Sequence, residues 1–181
     1  MSQHDRLRWD EKYAARPAPS PVEAGPPRVF AAHAEVFPTT GRALDLACGA
    51  GTAAVWLARR GLKVWGLDVS PVAIDQARAL AAASGVEDAC YFDVVDLDAG
   101  LPPGPAVSVV VCHRFRDRRL DAQIIERLEP GGLLAVAVLS EVGGRPGRHR
   151  AVRGELAAAF SALHPIAAGE GDGEAWLLAR R

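Results

Sequence analysis

The sequence predicts an α/β fold with a doubly wound, mostly parallel, Rossmann-like sheet that ends in an antiparallel β-hairpin. Three observations support this fold class. Short apolar runs alternate with helix-compatible segments from residue 42 onward, which is typical of right-handed β-α-β units. The first run leads into a glycine loop, and the last two runs are separated by the turn residues 169–173.

Five apolar runs predict the parallel strands, because each run is short, often β-branched, and bounded by Gly, Pro or polar residues. They are ALDLA at 43–47, LKVWGLD at 62–68, ACYFDVV at 89–95, AVSVVVC at 106–112 and LLAVAVL at 133–139. The runs at 162–168 and 174–180 predict the terminal hairpin, so one strand should be antiparallel. Helices are predicted by the Ser-Pro start at 70–71, by glycines that end segments, and by apolar spacing. These helices cover 52–60, 71–85, 118–128 and 153–160. The third of them ends before the sequence EPGG.

Composition indicates a globular protein of one main domain. The chain has 181 residues, 49% of them apolar, and a net charge of −1, so no overall field attracts it to nucleic acid or to an anionic membrane. We predict that the main domain covers 42–181 and is preceded by an N-terminal helical segment and Pro-rich linker, 1–41, that covers the cleft. No signal peptide or membrane span is evident, which predicts a cytoplasmic protein, and the three separated cysteines predict reduced core residues.

The glycine loop predicts a nucleotide-like cofactor. Gly49 and Gly51 follow the first strand, and Ala54 completes a G-x-G-x-x-G/A spacing in which glycine lets the backbone approach a ligand closely. The same spacing serves NAD, FAD and S-adenosylmethionine, and the alternative is a tight turn without a ligand.

Acidic residues at successive strand ends narrow the choice of cofactor. Asp68 ends the second strand, where a carboxylate accepts hydrogen bonds from ribose hydroxyls of either cofactor class. Asp45 lies inside the first strand; it would repel a pyrophosphate but attract the ammonium and sulfonium of S-adenosylmethionine. The alternative is that Asp45 braces the loop through backbone N–H groups. Asp96 follows the third strand and is predicted to bind the adenine amine, with the Leu97 backbone beside the ring and Asp98 solvated.

Four motifs together resemble class I S-adenosylmethionine-dependent methyltransferases. They are LDLACGAGTAAVWLARRG, LDVSPVAIDQARALA, VVDLD and LEPGGLLAVAV, which occur in this order between residue 42 and about residue 140. The resemblance implies a seven-stranded sheet and S-adenosylmethionine as cofactor, with S-adenosylhomocysteine as product. It implies that Asp45 and the glycine loop flank the methionine moiety, Asp68 the ribose and Asp96 the adenine. The predicted cofactor-binding residues are Asp45, Ala47, Gly49, Gly51, Asp68, Val69, Asp96, Leu97, Cys112, Trp9 and Tyr13.

A closer resemblance is to small bacterial methyltransferases of the tellurite-resistance and thiopurine type. It is carried by WDEKY near the start, the glycine loop, HRFRDRRL and RGELAAAF. The chain departs from that group at Thr52-Ala53, where Arg-Asn is common. The resemblance implies a small-molecule acceptor with a soft or chalcogen nucleophile, which needs no catalytic base.

Acceptor-side residues are predicted at the tip of the fourth strand. His113 is a candidate base or hydrogen-bond donor and Arg114 a candidate anion ligand; the alternative is that His113 packs and Arg114 is solvated. The sequence CHRF does not match the (D/N/S)PP(Y/F/W) motif of amine methyltransferases.

Trp9 and Tyr13 are four residues apart, so they share a helix face and form either an aromatic lid or plain packing.

Arginine clusters at 114–119 and 145–153 indicate either solvated faces or contacts to an anionic acceptor or RNA phosphate. Few aromatics lie among them and no added nucleic-acid domain is evident, so nucleic acid is disfavoured. The predicted function is therefore methyl transfer from S-adenosylmethionine to a small molecule, without a metal. A cofactor-binding domain without transfer activity, or a NAD-dependent oxidoreductase, is the alternative.

Overall fold

The computed structural model describes residues 3–147 and 149–181, and these residues form a seven-stranded sheet flanked by helices. The strand order across the sheet is β3-β2-β1-β4-β5-β7-β6. The strands are β1 Arg42–Leu46, β2 Lys63–Asp68, β3 Cys90–Val94, β4 Val107–His113, β5 Leu128–Leu139, β6 His164–Gly171 and β7 Glu174–Arg180. The α-helices are α1 Gln3–Ala14, α2 Thr52–Arg59, α3 Pro71–Ala83, α4 Asp121–Arg127 and α5 Glu155–Ala159.

The predicted fold class is confirmed. Strands β1 to β5 pair in parallel, whereas β7 pairs antiparallel with both β5 and β6. The terminal hairpin closes over Asp172 and Gly173, whose φ angles of 49° and 78° are typical of the two-residue turn that matches strand twist. The order of the strands places the ends of β1 and β4 side by side, which is where a doubly wound sheet opens a crevice.

Helix starts follow the local sequence signals. Pro71 begins α3, and the Ser70 hydroxyl caps it by accepting the Ala73 N–H at 3.2 Å. Helix α2 begins directly after Gly51, which is left-handed with φ 80°. The predicted third helix is divided in the structure, because a 3-10 turn at Arg118–Leu120 precedes α4.

Two apolar layers cover the sheet. One lies under α2 and α3 and includes Ala54, Leu57 and Ile74, and the other includes Leu120, Ile124 and Leu156 from the α4 and α5 side. Alternation along the strands assigns neighbouring residues to opposite layers. Asp45 therefore points toward the α2 side, as its parity with Ala43 predicts.

The segment before β1 contributes to the first of these layers. Phe30 and Phe37, in and after the 3-10 stretch Arg28–Val36, are 0% and 2% exposed. Phe30 packs edge-on against Trp176 and Phe37 against Trp56, with ring centroids 5.9 and 5.0 Å apart. These two residues are therefore part of the core.

The sequence EPGG has a different role from the helix stop that the sequence predicts. Strand β5 already begins at Leu128, and its register with β4 jumps from the pair Val107 and Leu128 to the pair Val109 and Leu133. The four residues between form a bulge. A Cβ on Gly132 would lie 2.9 Å from the Glu129 carbonyl oxygen, so this bulge requires glycine there.

None of the described helices combines the length and the apolar character needed to cross a membrane.

Candidate functional site

The glycine loop joins β1 to α2 through a series of left-handed residues. Ala47, Gly49 and Gly51 have φ angles of 52°, 54° and 80°. A Cβ on Gly51 would lie 2.7 Å from the Ala77 Cβ, because α2 and α3 approach closely there. A Cβ on Gly49 would lie 2.4 Å from the Tyr13 hydroxyl. Both glycines are thus needed for backbone shape and for close approach of neighbouring groups.

Asp68 holds the glycine loop and the start of α3 together. Its Oδ2 accepts the Gly49 N–H and its Oδ1 accepts the Ser70 N–H, both at 2.9 Å. Burial raises the pKa of this carboxyl, and the N–H groups of Ser70, Gly49 and Val69 oppose that rise. Each carboxylate oxygen has a second lone pair, so Asp68 retains acceptor capacity for a hydroxyl donor.

Asp45 is a buried carboxyl with an unused oxygen. It is 2% exposed, and its Oδ2 has no hydrogen-bond partner among the described residues. Burial and then the Asp68 charge raise its pKa to about 8, against the opposing effect of the Ala54 N–H. A buried polar atom without a partner is costly, so this geometry favours a donor or cation beside the glycine loop.

Asp96 and Leu97 lie in the turn after β3. The Asp96 Oδ1 accepts the Asp98 N–H at 2.9 Å and so caps the 3-10 turn Leu97–Ala99. Leu97 is fully buried, which leaves its backbone as the part that can face a ligand. Asp98 is exposed, in agreement with the sequence prediction, and its Oδ1 forms a surface ion pair with the Arg119 Nη2 at 3.0 Å.

Helix α1 lies across the glycine loop. The Ser70 hydroxyl donates to Asp10 Oδ1 at 2.5 Å, and the Gln76 amide donates to the Tyr13 carbonyl at 3.1 Å. The Trp9 and Tyr13 rings have centroids 6.0 Å apart, as one helix face requires. Burial, followed by the Asp68 charge, raises the pKa of Tyr13, so its hydroxyl stays protonated at neutral pH.

The tip of β4 carries Cys112, His113 and Arg114. The Cys112 thiol donates to the Phe115 carbonyl at 3.2 Å, and burial raises its pKa to about 12. Burial, and then Arg114, lowers the pKa of His113 to about 4, so its Nε2, 3.9 Å from Glu174 Oε1, forms no ion pair at neutral pH. The Cys112 side chain packs in the α4-side layer, which leaves its backbone for any ligand contact.

A cavity of about 570 Å³ opens between α1, the segment after β4, and the loop after β5. We call it the basic cavity, because its described lining includes Arg8, Lys12, Arg114 and His149 along with the apolar side chains of Trp9, Phe115 and Leu139. Its lining carboxylates, Asp98 and Asp117, both pair with Arg119. The structure thus brings Arg114 and Trp9 together in one space. His113 is not among the lining residues in the described part of the chain.

Most of the arginines at 114–119 are neutralised by carboxylates. Arg116 has a side chain only 4% exposed; it bonds both oxygens of Asp121, at 2.5 and 2.8 Å, and Glu155 at 2.8 Å. Arg118 bonds Glu155 at 2.6 Å, and Arg119 bonds Asp117 at 2.5 Å. The expectation of a uniformly solvated face is wrong for Arg116, because Asp121 and Glu155 converge on it from two helices.

Comparison with known proteins identifies the domain. The methyltransferase domain family matches residues 43–132, which contain the glycine loop, Asp45, Asp68 and Asp96. The chain carries a class I S-adenosylmethionine-dependent methyltransferase domain. The chain is 35% identical over 104 residues to a ribosomal RNA small subunit methyltransferase C of Alcanivorax borkumensis, covering 52% of this chain and 31% of that protein. It is 35% identical over 102 residues to a ubiquinone biosynthesis O-methyltransferase of Sodalis glossinidius, covering 54% and 41%.

The same fold occurs in TehB from Haemophilus influenzae, with a TM-score of 0.72 at 18% identity over 84% of this chain and 61% of TehB. This methyltransferase domain spans less than half the length of the two curated relatives, at 31% and 41%. Their names point to different processes, methylation of ribosomal RNA and O-methylation in ubiquinone biosynthesis. The likeness therefore identifies the domain, while the acceptor must be inferred from the residues of this chain.

Proposed function

We propose that this protein transfers the methyl group of S-adenosylmethionine to a small-molecule acceptor. The observation that carries the proposal is the unpartnered Oδ2 of buried Asp45 beside a loop built from left-handed Ala47, Gly49 and Gly51. A cationic ligand at the loop would stabilise the ionised form of Asp45, whose pKa burial raises to about 8, whereas a pyrophosphate would disfavour that form further.

The residues present fit this cofactor at three further points. Asp68 would accept the ribose hydroxyls on lone pairs that its N–H donors leave open, with Val69 beside it. Asp96 would accept the adenine amine next to the Leu97 backbone. Tyr13 lies against Gly49, so α1 would cover the methionine end, with Trp9 directed toward the acceptor side. Cys112 would contribute its backbone at the tip of β4.

When bound, S-adenosylmethionine supplies a sulfonium methyl group, which moves to the acceptor nucleophile as the carbon–sulfur bond breaks and S-adenosylhomocysteine is left. The protein's part is to align the two reactants and exclude water, which α1 and the loop after β5 are placed to do. The Cys112 thiol has a pKa of about 12, so it does not compete as a nucleophile near neutral pH. A soft acceptor needs no base; for a harder one, His113 is neutral and able to accept a proton, and Arg114 would hold an anionic group.

The acceptor favoured by the sequence resemblance is a soft or chalcogen nucleophile. The bounded volume of the basic cavity, about 570 Å³, supports a small molecule rather than a folded nucleic acid. One alternative is that the domain binds the cofactor without transferring methyl, as a sensor or partner subunit. A NAD-dependent oxidoreductase is less well supported, because it leaves the Asp45 carboxylate without an opposite charge.

Calorimetry with S-adenosylmethionine, S-adenosylhomocysteine and NAD tests the cofactor. We expect binding of the first two and none of NAD; binding of NAD alone would overturn the proposal. A panel of thiol, selenite, tellurite and phenol acceptors then tests transfer, followed by mass spectrometry of the methylated product. Tight cofactor binding with no product from a broad panel would favour the sensor alternative.

A further inference from the structure

Three cations of the basic cavity have no carboxylate partner among the side chains that the structure describes. Among side chains that the structure describes, no carboxylate lies within ion-pair distance of Arg8, Lys12 or Arg114. The other arginines of the same cavity are all paired, as described above. Positive charge in this cavity is therefore concentrated on three side chains, two from α1 and one from the tip of β4.

Two of these cations, Arg8 and Lys12, lie beside the same aromatic ring. The Lys12 Nζ lies 4.0 Å from the Trp9 ring centroid, and the Arg8 Cζ lies 5.6 Å from the same centroid. Burial lowers the pKa of Lys12, and the charges of Arg16, Arg8 and Arg114 lower it further. A bound anion would therefore be attracted by all three charges at once.

Arg114 is placed by an unusual backbone conformation. Its φ of 60° is left-handed, which is uncommon for a residue with a Cβ, and its N–H donates to the Ala137 carbonyl at 2.7 Å. The chain leaves β4 through this residue and turns into the segment that lines the cavity. Strained non-glycine residues of this kind persist where the surrounding structure fixes them, often at ligand sites.

We propose that the basic cavity binds an acceptor with a carboxylate or phosphate group on a planar apolar body. Arg8, Lys12 and Arg114 hold the anionic group, and the Trp9 and Phe115 rings contact the planar body. Helix α1 is then part of acceptor recognition, and it joins the acceptor to the cofactor site through Tyr13 and Asp10. This inference rests on the proposed function, since it specifies the acceptor of the same site.

Binding of simple probes tests the inference without measuring turnover. Benzoate, benzamide and phenyl phosphate share an aromatic ring; benzamide lacks the negative charge, and the two anions separate a carboxylate from a phosphate preference. Each is titrated by calorimetry into the S-adenosylhomocysteine-loaded protein. We expect at least one anion to bind about tenfold or more tightly than benzamide, the effect of one charge-assisted hydrogen bond.

Three matched variants test which side chains produce the preference for anionic probes. Lys12→Met and Arg114→Met should each remove most of the anion preference, because each deletes an unpaired cation. Arg78→Met is the control, because this arginine is equally cationic but lies on α3 outside the basic cavity, where it pairs with Asp75 at 3.4 Å, so the preference should persist. Circular dichroism and the affinity for S-adenosylhomocysteine should be unchanged in all three variants.

The outcomes separate the two proposals. If cofactor does not bind, the proposed function fails, and the same probe titration on the free protein still decides the anion site. If cofactor binds but the anions bind no better than benzamide, or the preference survives both Lys12→Met and Arg114→Met, the inference is overturned. Tighter binding of a single-stranded RNA dodecamer than of phenyl phosphate would also overturn it, since the cations would then serve a nucleic acid.

Discussion

The two halves of the site differ in how their charges are fixed. After β1, β2 and β3, the charges are carboxylates held by backbone N–H groups, as in Asp68, or left with an open oxygen, as in Asp45. After β4, most charges are arginines held by side-chain carboxylates from distant elements, as in Arg116. The acidic half thus keeps binding capacity for a ligand, whereas most arginines after β4 contribute their charge to folding. Among the described lining residues of the basic cavity, Arg114 and the α1 residues Arg8 and Lys12 have no carboxylate partner.

The largest expected effect is on the free energy of unfolding, and it concerns Arg116. Arg116→Met should lower the free energy of unfolding by about 3 to 5 kcal/mol, because it leaves two largely buried carboxylates, Asp121 and Glu155, without their partner. Urea denaturation of the cofactor-free protein measures this. Arg119→Met is the comparison variant, because this side chain is 64% exposed, and it should lower the unfolding free energy by about 1 kcal/mol or less. Equal losses in the two variants would show that burial of the arginine does not set the size of the effect.

The next effect is a pH dependence that originates in Asp45. Because its pKa is raised to about 8 in the free protein, binding of a cationic cofactor below that pH requires loss of a proton. Affinity for S-adenosylmethionine should then fall by up to about tenfold per pH unit from pH 8 to 6. The Asp45→Asn variant lacks this titrating group, so only the ligand's own titration remains. Its affinity for S-adenosylmethionine should therefore be weaker than that of the wild type and should change less with pH.

The same substitution should stabilise the cofactor-free protein. A carboxyl whose folded-state pKa lies above its unfolded value loses stability as pH rises between the two, here from about 4 to about 8. The Asp45→Asn protein should therefore unfold at a higher temperature than the wild type at pH 8 and at nearly the same temperature at pH 4. The difference in unfolding temperature between variant and wild type is therefore the quantity to compare at pH 4 and pH 8. An equal difference at both pH values would show that Asp45 is already ionised in the free state.

Asp68→Asn probes the acidic half at constant shape. The amide retains one acceptor oxygen but loses the carboxylate charge, so affinity for S-adenosylmethionine should fall by about 1 to 3 kcal/mol. Calorimetry measures the change, and Asp93→Asn, on β3 where the carboxylate bonds the Trp65 indole, is the matched control. Wild-type affinity in Asp68→Asn would exclude a ribose contact and leave this residue as a brace for Gly49 and Ser70.

The parts of the molecule that the sequence predicts correctly are those whose position depends on local backbone pattern. Asp45, Asp68 and the glycines follow from strand parity and from turn chemistry, both of which are local, and the structure places them together at adjacent strand ends. The sheet and its reversed β7 follow from the same alternation of runs. The ligand contacts assigned to these residues, and the division at residue 41, stay predictions.

Local sequence pattern does not predict contacts between residues that are distant in the chain. Arg116 meets Glu155 across 39 residues, and no spacing rule separates it from Arg114, which meets no carboxylate among the described side chains. Phe30 and Phe37 were hidden in a stretch between prolines and glycines, although their aromatic character was a signal of burial. The EPGG bulge resembles a helix stop because glycine serves both structures, and only the strand register distinguishes them.

The smallest expected effect concerns His113, which lies between the two halves. Since its pKa is about 4, it is neutral from pH 6 to 8, so methyl transfer should show no pH dependence from this group in that range. His113→Gln should lower the transfer rate by about tenfold or less, if the imidazole accepts a proton weakly, and leave cofactor affinity unchanged. Relative to the variant, wild-type stability should fall as pH drops from about 6.5 to 4, because only the unfolded imidazole is protonated there. Parallel losses of rate and cofactor affinity would instead assign His113 to the cofactor side, and an unchanged rate would leave it as packing against Glu174.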